Sequence, residues 1–111
     1  MAEYQDIRMT KIPLIRGAGQ MPALGFGTLI PDPAATMTAT RDALVAGFRH
    51  FDCAERYGNE REVGRALQEG LATVGIARDD IFVTTKVWNT NHRPERVARA
   101  FEASHDRLGL T

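Results

Sequence analysis

Two short runs of strand-forming residues bracket a helical pattern at a separation that leaves few folds open. Phe48 to Cys53, FRHFDC, reads as a strand, and Ile81 to Thr85, IFVTT, is a compact β-rich run. Between them Val63, Leu67, Leu71 and Val74 recur at steps of four, four and three, the period of one helix face. The end of the first strand and the start of the second lie just under 30 residues apart, the size of a right-handed βαβ crossover. Strands joined in this way run parallel, and a parallel sheet needs helices over its faces.

The alternation continues on both sides. Leu24 to Thr28, LGFGT, is a candidate first strand whose two glycines leave backbone open to close approach. Pro31 to Ala35 reads as a loop, followed by a helix from about Thr36 to Ala46 with Met37, Leu44 and Val45 as its apolar positions and Gly47 near its C-cap. Asn59 with Glu62 three residues on resembles a capping box, and Gly75 is a plausible terminator for the helix between them. Pro94 suits the first turn of a third helix, which aligns Val97, Phe101 and Leu108 and ends at Gly109. Ahead of all this, Lys11 to Leu24 reads as a hairpin around the turn-rich GAGQ, preceded by a polar tail over residues 1–10.

Residues 11–111 are therefore expected to hold three βα units behind a hairpin. A doubly wound nucleotide fold would need G-x-G-x-x-G after a strand, and Gly25-Phe26-Gly27 is a lone G-x-G without the third glycine. The fold class expected is α/β: the N-terminal part of a (β/α)8 TIM barrel with an N-terminal β-hairpin. A complete barrel takes roughly 250 residues. The 111 residues here are expected to be its first three-eighths, with the rest of the barrel missing from this chain.

Composition narrows the partners. Lys plus Arg and Asp plus Glu are both 14, so no basic excess points to nucleic acid or to an anionic membrane surface. No apolar run approaches the ~20 residues of a membrane span. The N-terminus, MAEYQDIRMT, carries no signal-peptide core, so a cytoplasmic location is the default expectation. The single cysteine, Cys53, excludes a disulfide within the chain. Beside Asp52 it reads as a small strand-end residue rather than a reactive thiol. The three histidines and Cys53 show no ligand spacing, and no metal is expected.

Asp52 and Lys86 stand at the C-terminal ends of neighbouring predicted strands, and Tyr57 follows Asp52 by five residues. Taken singly, each has an ordinary explanation: a loop aspartate, a lysine at a sheet edge, a packed loop aromatic. Taken together they put a carboxylate, an ammonium and a phenol at the end of the sheet where barrel active sites lie. A cation beside a phenol favours the phenolate and lowers a pKa that is ordinarily about 10. Such a phenol is suited to donating a proton to a carbonyl oxygen. The accompanying hydride would have to come from a cofactor, since no side chain supplies one.

The run from Gly47 to Gly64, GFRHFDCAERYGNEREVG, resembles the signature of the aldo-keto reductases. Glu60 and Gly64 also fall where that signature has them. Met21 to Thr28, MPALGFGT, is similar to the family's first strand, and Val83 to Trp88, VTTKVW, to its catalytic-lysine strand. The resemblance runs from about Lys11 to Leu110. It implies an enzyme that reduces an aldehyde or ketone with NAD(P)H, NADP(H) rather than NAD(H), or runs the reverse oxidation. Its partner would be a small carbonyl or alcohol substrate. It implies catalytic roles for Asp52, Tyr57 and Lys86, with Tyr57 as general acid. It implies a nicotinamide site at Gly27, Thr28, Leu29 and Asp52, and a substrate pocket edged by Leu29 and walled by Trp88. The family's fourth catalytic residue is a histidine on the next strand, which this sequence does not reach. His92 and His105 lack its context, and His50 matches a variable position of the signature and reads as packing. Two other readings stay open: an inactive truncated fragment, and a non-catalytic nicotinamide-binding relative.

Overall fold

The structure, a computed structural model, describes residues 6–17 and 19–111. A hairpin of β1 (Lys11–Pro13) and β2 (Gln20–Pro22) pairs Ile12 with Met21. Then come β3 (Phe26–Gly27), α1 (Pro33–Ala46), β4 (His50–Asp52), α2 (Glu60–Val74), β5 (Phe82–Thr84) and α3 (Pro94–Leu108). The three later strands form one parallel sheet in the order β3-β4-β5, with Gly27 level with Asp52 and Asp52 level with Thr84. This is the expected run of βα units. The strands are shorter than the runs that announced them, and only β4 pairs on both sides.

Alternation divides the sheet into two faces. Phe51 and Cys53 are fully buried and pack with Leu44 of α1, Val63 and Leu67 of α2, and Ile81, Leu108 and Leu110. Burying side chains of this size contributes about 1.5–3 kcal/mol each. The other face carries His50, Asp52 and Thr84, none of them fully buried. His50 confirms the packing reading: its Nε2 pairs with Thr84 Oγ1 at 2.8 Å, and its ring meets Phe82 edge-on. His50 Nδ1 also donates to Pro22 O at 3.3 Å, which ties the hairpin to the start of β4, the end of the sheet away from Asp52.

The helix layer is held by one close approach and one buried charge. At Gly64 a Cβ would collide with the Leu108 backbone carbonyl, so α2 and α3 touch where only glycine fits. Glu60, 1% exposed, accepts from Thr85 Oγ1 at 2.7 Å, Ser104 Oγ at 3.1 Å and Arg107 Nε at 2.9 Å. One carboxylate thus joins α2, the end of β5 and α3.

Several local expectations change. α1 starts at Pro33, not near Thr36: Asp32 caps it by accepting from Ala35 N at 2.8 Å, and Pro33 has no N–H to satisfy. Its buried positions are Thr36, Thr40, Ala43 and Leu44, while Val45 points out at 64% exposure. Asn59 precedes α2 but makes no side-chain capping bond; its Nδ2 donates to Thr28 O at 2.6 Å, which holds the amide against the segment after β3. On α3, Val97 and Phe101 are exposed, and the buried side is Ala100, Ser104 and Leu108. Of the polar tail, residues 1–5 lie outside the described residues, as does Ala18 in the expected hairpin turn. The rest is not a loose tail: Ile7–Met9 is a 3-10 turn capped by Asp6, and Arg8 Nη1 donates to Ala46 O at 3.1 Å. No helix among the described residues is long and apolar enough to cross a membrane.

Candidate active site

The ends of β3, β4 and β5 meet at one rim of the sheet. Backbone bonds stitch the segments beyond them together: Cys53 N donates to Thr84 O at 2.7 Å and Glu55 N to Lys86 O at 3.2 Å. The chain then makes a single 3-10 turn, Glu55–Tyr57, and Gly58, at φ 69°, reverses it into α2. A left-handed residue is needed there, and glycine adopts it without a Cβ penalty. This turn swings Tyr57 back over the strand ends.

Lys86 is the hub. Its Nζ donates to Asp52 Oδ1 at 2.6 Å, to Cys53 O at 2.8 Å and to the Tyr57 hydroxyl at 3.5 Å. It also lies 5.2 Å from the centroid of the Tyr57 ring. Burial pulls the ammonium pKa down, but the hydrogen bond and charge of Asp52, with the Tyr57 oxygen, outweigh it and hold Lys86 above the ordinary lysine value. Lys86 therefore carries its charge throughout the neutral range. Lys86 thus bridges the other two residues that the sequence singled out, Asp52 and Tyr57.

The expected cofactor residues divide. At Gly27 nothing lies within 4 Å of where a Cβ would stand, and Leu29 is 69% exposed. Together with the half-exposed Asp52 carboxylate they leave an open shelf at the strand ends. Thr28 is different. It is fully buried, its hydroxyl donates to Asp52 O at 3.0 Å, and its N–H bonds the same carbonyl at 3.1 Å. Both bonds tie the segment after β3 to the end of β4.

A cavity of about 400 Å³ opens beside the phenol, lined among others by Tyr57, Lys86, Trp88 and His92. Trp88 is 40% exposed, so it is a wall and not a core tryptophan. Sequence reasoning missed three contributors. Glu55 pins the Trp88 loop, accepting from Trp88 N at 3.0 Å and Asn91 Nδ2 at 2.6 Å. Arg56 stands 5.3 Å above the Trp88 ring. His92, set aside in the sequence, lines the cavity with Nε2 donating to Val87 O at 3.2 Å. For the turn residues the available signal was their position between Asp52 and Tyr57. Cys53 is buried, and burial pushes its thiol up to about 11, so it is inert near neutrality. Among the described residues no group of three or more His, Cys, Asp or Glu could hold a metal ion.

With this geometry in view, comparison with known proteins is decisive. The family model described as Aldo/keto reductase family matches residues 17–111. The chain belongs to the aldo/keto reductase family. It is 45% identical over 94 residues to aldo-keto reductase family 1 member A1 of Mus musculus, covering 83% of this chain and 29% of that protein. It is 41% identical over 92 residues to the D/L-glyceraldehyde reductase of Hypocrea jecorina, covering 82% of this chain and 28% of that one. Among solved structures, the aldose reductase from Schistosoma japonicum superposes with a TM-score of 0.80 at 42% identity, over 84% of this chain and 31% of its own. An aldo/keto reductase from Brucella melitensis gives 0.81 at 39% identity, over 90% of this chain and 37% of its own. The fold is thus part of a (β/α)8 barrel of the aldo-keto reductase type. The chain spans less than a third of the length of the mouse and Hypocrea relatives.

Proposed function

We propose that these residues form the acid–base half of a carbonyl-reducing site, in a protein that interconverts an aldehyde or ketone and an alcohol with a nicotinamide cofactor, NADP(H) in preference to NAD(H). The observation that carries the reading is the Lys86 ammonium donating to both Asp52 Oδ1, at 2.6 Å, and the Tyr57 hydroxyl, at 3.5 Å, on the strand-end rim. The nicotinamide, when bound, supplies the hydride. Gly27 and Leu29, with the Asp52 carboxylate, would hold that ring on the shelf, and Trp88 and Leu29 would border the carbonyl compound.

Each residue then has a task in moving one proton. Tyr57 presents its O–H to the carbonyl oxygen and gives up the proton as negative charge develops there. Lys86 already donates to the phenol oxygen, so the phenolate left behind sits against a fixed positive charge. Asp52 keeps the ammonium in place and balances it, so the charged pair needs no rearrangement during the reaction. In the oxidative direction the same phenolate takes the proton from the alcohol.

The test is Tyr57→Phe in the full-length protein carrying these residues. Turnover of a small aldehyde with NADPH should fall by about 10²–10⁴-fold, the usual contribution of a positioned general acid. Nicotinamide affinity, read by fluorescence titration, should stay near wild type. A phenylalanine variant that kept wild-type turnover would remove Tyr57 from the acid role.

A further inference from the structure

Arg56 stands next to Tyr57, lines the same cavity, and is used by nothing in the acid–base reading. The other charges at this rim are already committed. Lys86 is neutralised by Asp52 at 2.6 Å. Glu55 accepts from the Trp88 N–H and from Asn91. Arg56 has no carboxylate within ion-pair distance among the described residues, and its guanidinium carbon lies 5.3 Å from the centroid of the Trp88 ring.

A cation–π contact of this kind restrains a long side chain without consuming its N–H donors. The guanidinium keeps five of them in a rigid fork that matches a carboxylate with two parallel hydrogen bonds. Its charge is permanent at any working pH. The cavity wall beside Tyr57 therefore combines an apolar plate, the Trp88 indole, with a positive charge held against it that makes no ion pair among the described residues. A neutral aliphatic aldehyde would leave that charge unanswered. A compound with an anionic group a few bonds from its carbonyl would place the carbonyl at Tyr57 and the anion at Arg56.

We propose that Arg56 determines specificity by holding the carboxylate of an anionic carbonyl substrate, with Trp88 packed against the carbon skeleton between carboxylate and carbonyl. That substrate class rests on the carbonyl-reduction reading above; the anion contact at Arg56 does not. Screening follows: the preference weakens with salt, because an exposed guanidinium is shielded over a Debye length of about 10 Å at 0.1 M.

The experiment has two arms on the full-length protein. The first compares kcat/KM for 4-carboxybenzaldehyde and benzaldehyde, in wild type and in Arg56→Leu, Arg56→Gln and Arg56→Lys. The charged-to-neutral ratio should fall at least about 10-fold in the Leu and Gln variants, mostly through KM, and should be largely retained in Arg56→Lys. An unchanged ratio in a Leu or Gln variant that still reduces both aldehydes overturns the proposal. The second arm needs no turnover. Trp88 is the only tryptophan of the 111 residues, and it carries the guanidinium. The part of the tryptophan fluorescence that is lost in Trp88→Phe should respond saturably to benzoate, weakly to the neutral isostere benzamide, and not to benzoate in Arg56→Leu. Equal responses to benzoate and benzamide, or a benzoate response that survives Arg56→Leu, overturn it. Circular dichroism of each variant checks folding, and the Gln variant keeps the stem length if the Leu variant aggregates. A wild type that reduces neither aldehyde while binding benzoate through Arg56 would defeat the carbonyl-reduction reading and leave the anion site standing.

Discussion

The two faces of the β3-β4-β5 sheet come from the same strands and do opposite work. Phe51 and Cys53 face the helices and are fully buried. His50, Asp52 and Thr84 face the other way, partly exposed and hydrogen-bonded through side chains. The helix face is mainly apolar, with Thr36, Thr40, Ser104 and the Glu60 carboxylate among its buried polar groups. The inner face is polar and ends in the Asp52, Tyr57 and Lys86 cluster. Stability should therefore concentrate on one side of the sheet and chemistry on the other, and that division can be broken by substitutions on each.

The largest effect is expected at Glu60. It is 1% exposed and holds Thr85, Ser104 and Arg107 at once. Removing one partner of a buried ion pair typically costs 3–5 kcal/mol, because the other charge is left without compensation. Glu60→Ala should lower stability by about 3–4 kcal/mol, since Arg107 keeps some contact with solvent. Urea unfolding would measure it. A loss under about 1 kcal/mol would mean that the helix layer does not depend on this junction.

Next is the alkaline limb. Burial raises the Cys53 thiol from 9.0 to about 11, so the folded state holds this proton more tightly than the unfolded state does. Its contribution is intact below pH 9.0 and is lost as pH climbs towards about 11. The full swing is about 3 kcal/mol. Lys86 acts in the same sense: its raised value gives stability that is present below 10.5 and lost above it. Half-exposed, it should contribute the smaller part of the slope. Urea midpoints at pH 8, 10 and 11 should fall in order, and Cys53→Ala should flatten most of the fall. A wild-type profile flat to pH 11 would mean that the thiol is less enclosed than the geometry requires.

The sequence made the faces legible unevenly. Apolar periodicity located β4, α2 and β5, and the spacing of Asp52, Tyr57 and Lys86 located the rim. Both are properties of residues close together in the chain or fixed by the strand period. Glu60 shows the limit. It belongs to a recognisable signature, but its partners Thr85, Ser104 and Arg107 lie 25 to 47 positions away, and nothing local marks them as neighbours. Asn59 misled for the same reason. Its local context offered a helix cap, but its Nδ2 donates to a carbonyl 31 residues away and no side-chain capping bond forms. Val97 and Phe101 sit on the apolar stripe of α3, yet at 41% and 60% exposure they find no cover. A stripe tells which side of a helix is apolar, not whether a neighbour stands there. Arg56 carries no sequence signal beyond adjacency to Tyr57, because its meaning lies in Trp88, 32 residues on.

The smallest effect is expected on the inner face, at His50. Its ring bonds Thr84 Oγ1 at 2.8 Å and Pro22 O at 3.3 Å, and it is only partly buried. When His50→Ala removes the ring, it leaves two neutral groups and no unpaired charge, unlike the Arg107 that Glu60→Ala would strand. The net value of a neutral hydrogen bond is about 1 kcal/mol, and the Pro22 contact is long. His50→Ala should therefore cost about 1 kcal/mol, well under the cost of Glu60→Ala. The loss should also be local. The Pro22 bond joins the hairpin to β4, so amide exchange should quicken at Ile12 and Met21 while the α2 amides keep their protection. Hydrogen exchange read residue by residue separates the outcomes. If α2 exchange rises together with the hairpin, the inner face shares in global stability, and the division of labour between the two faces fails.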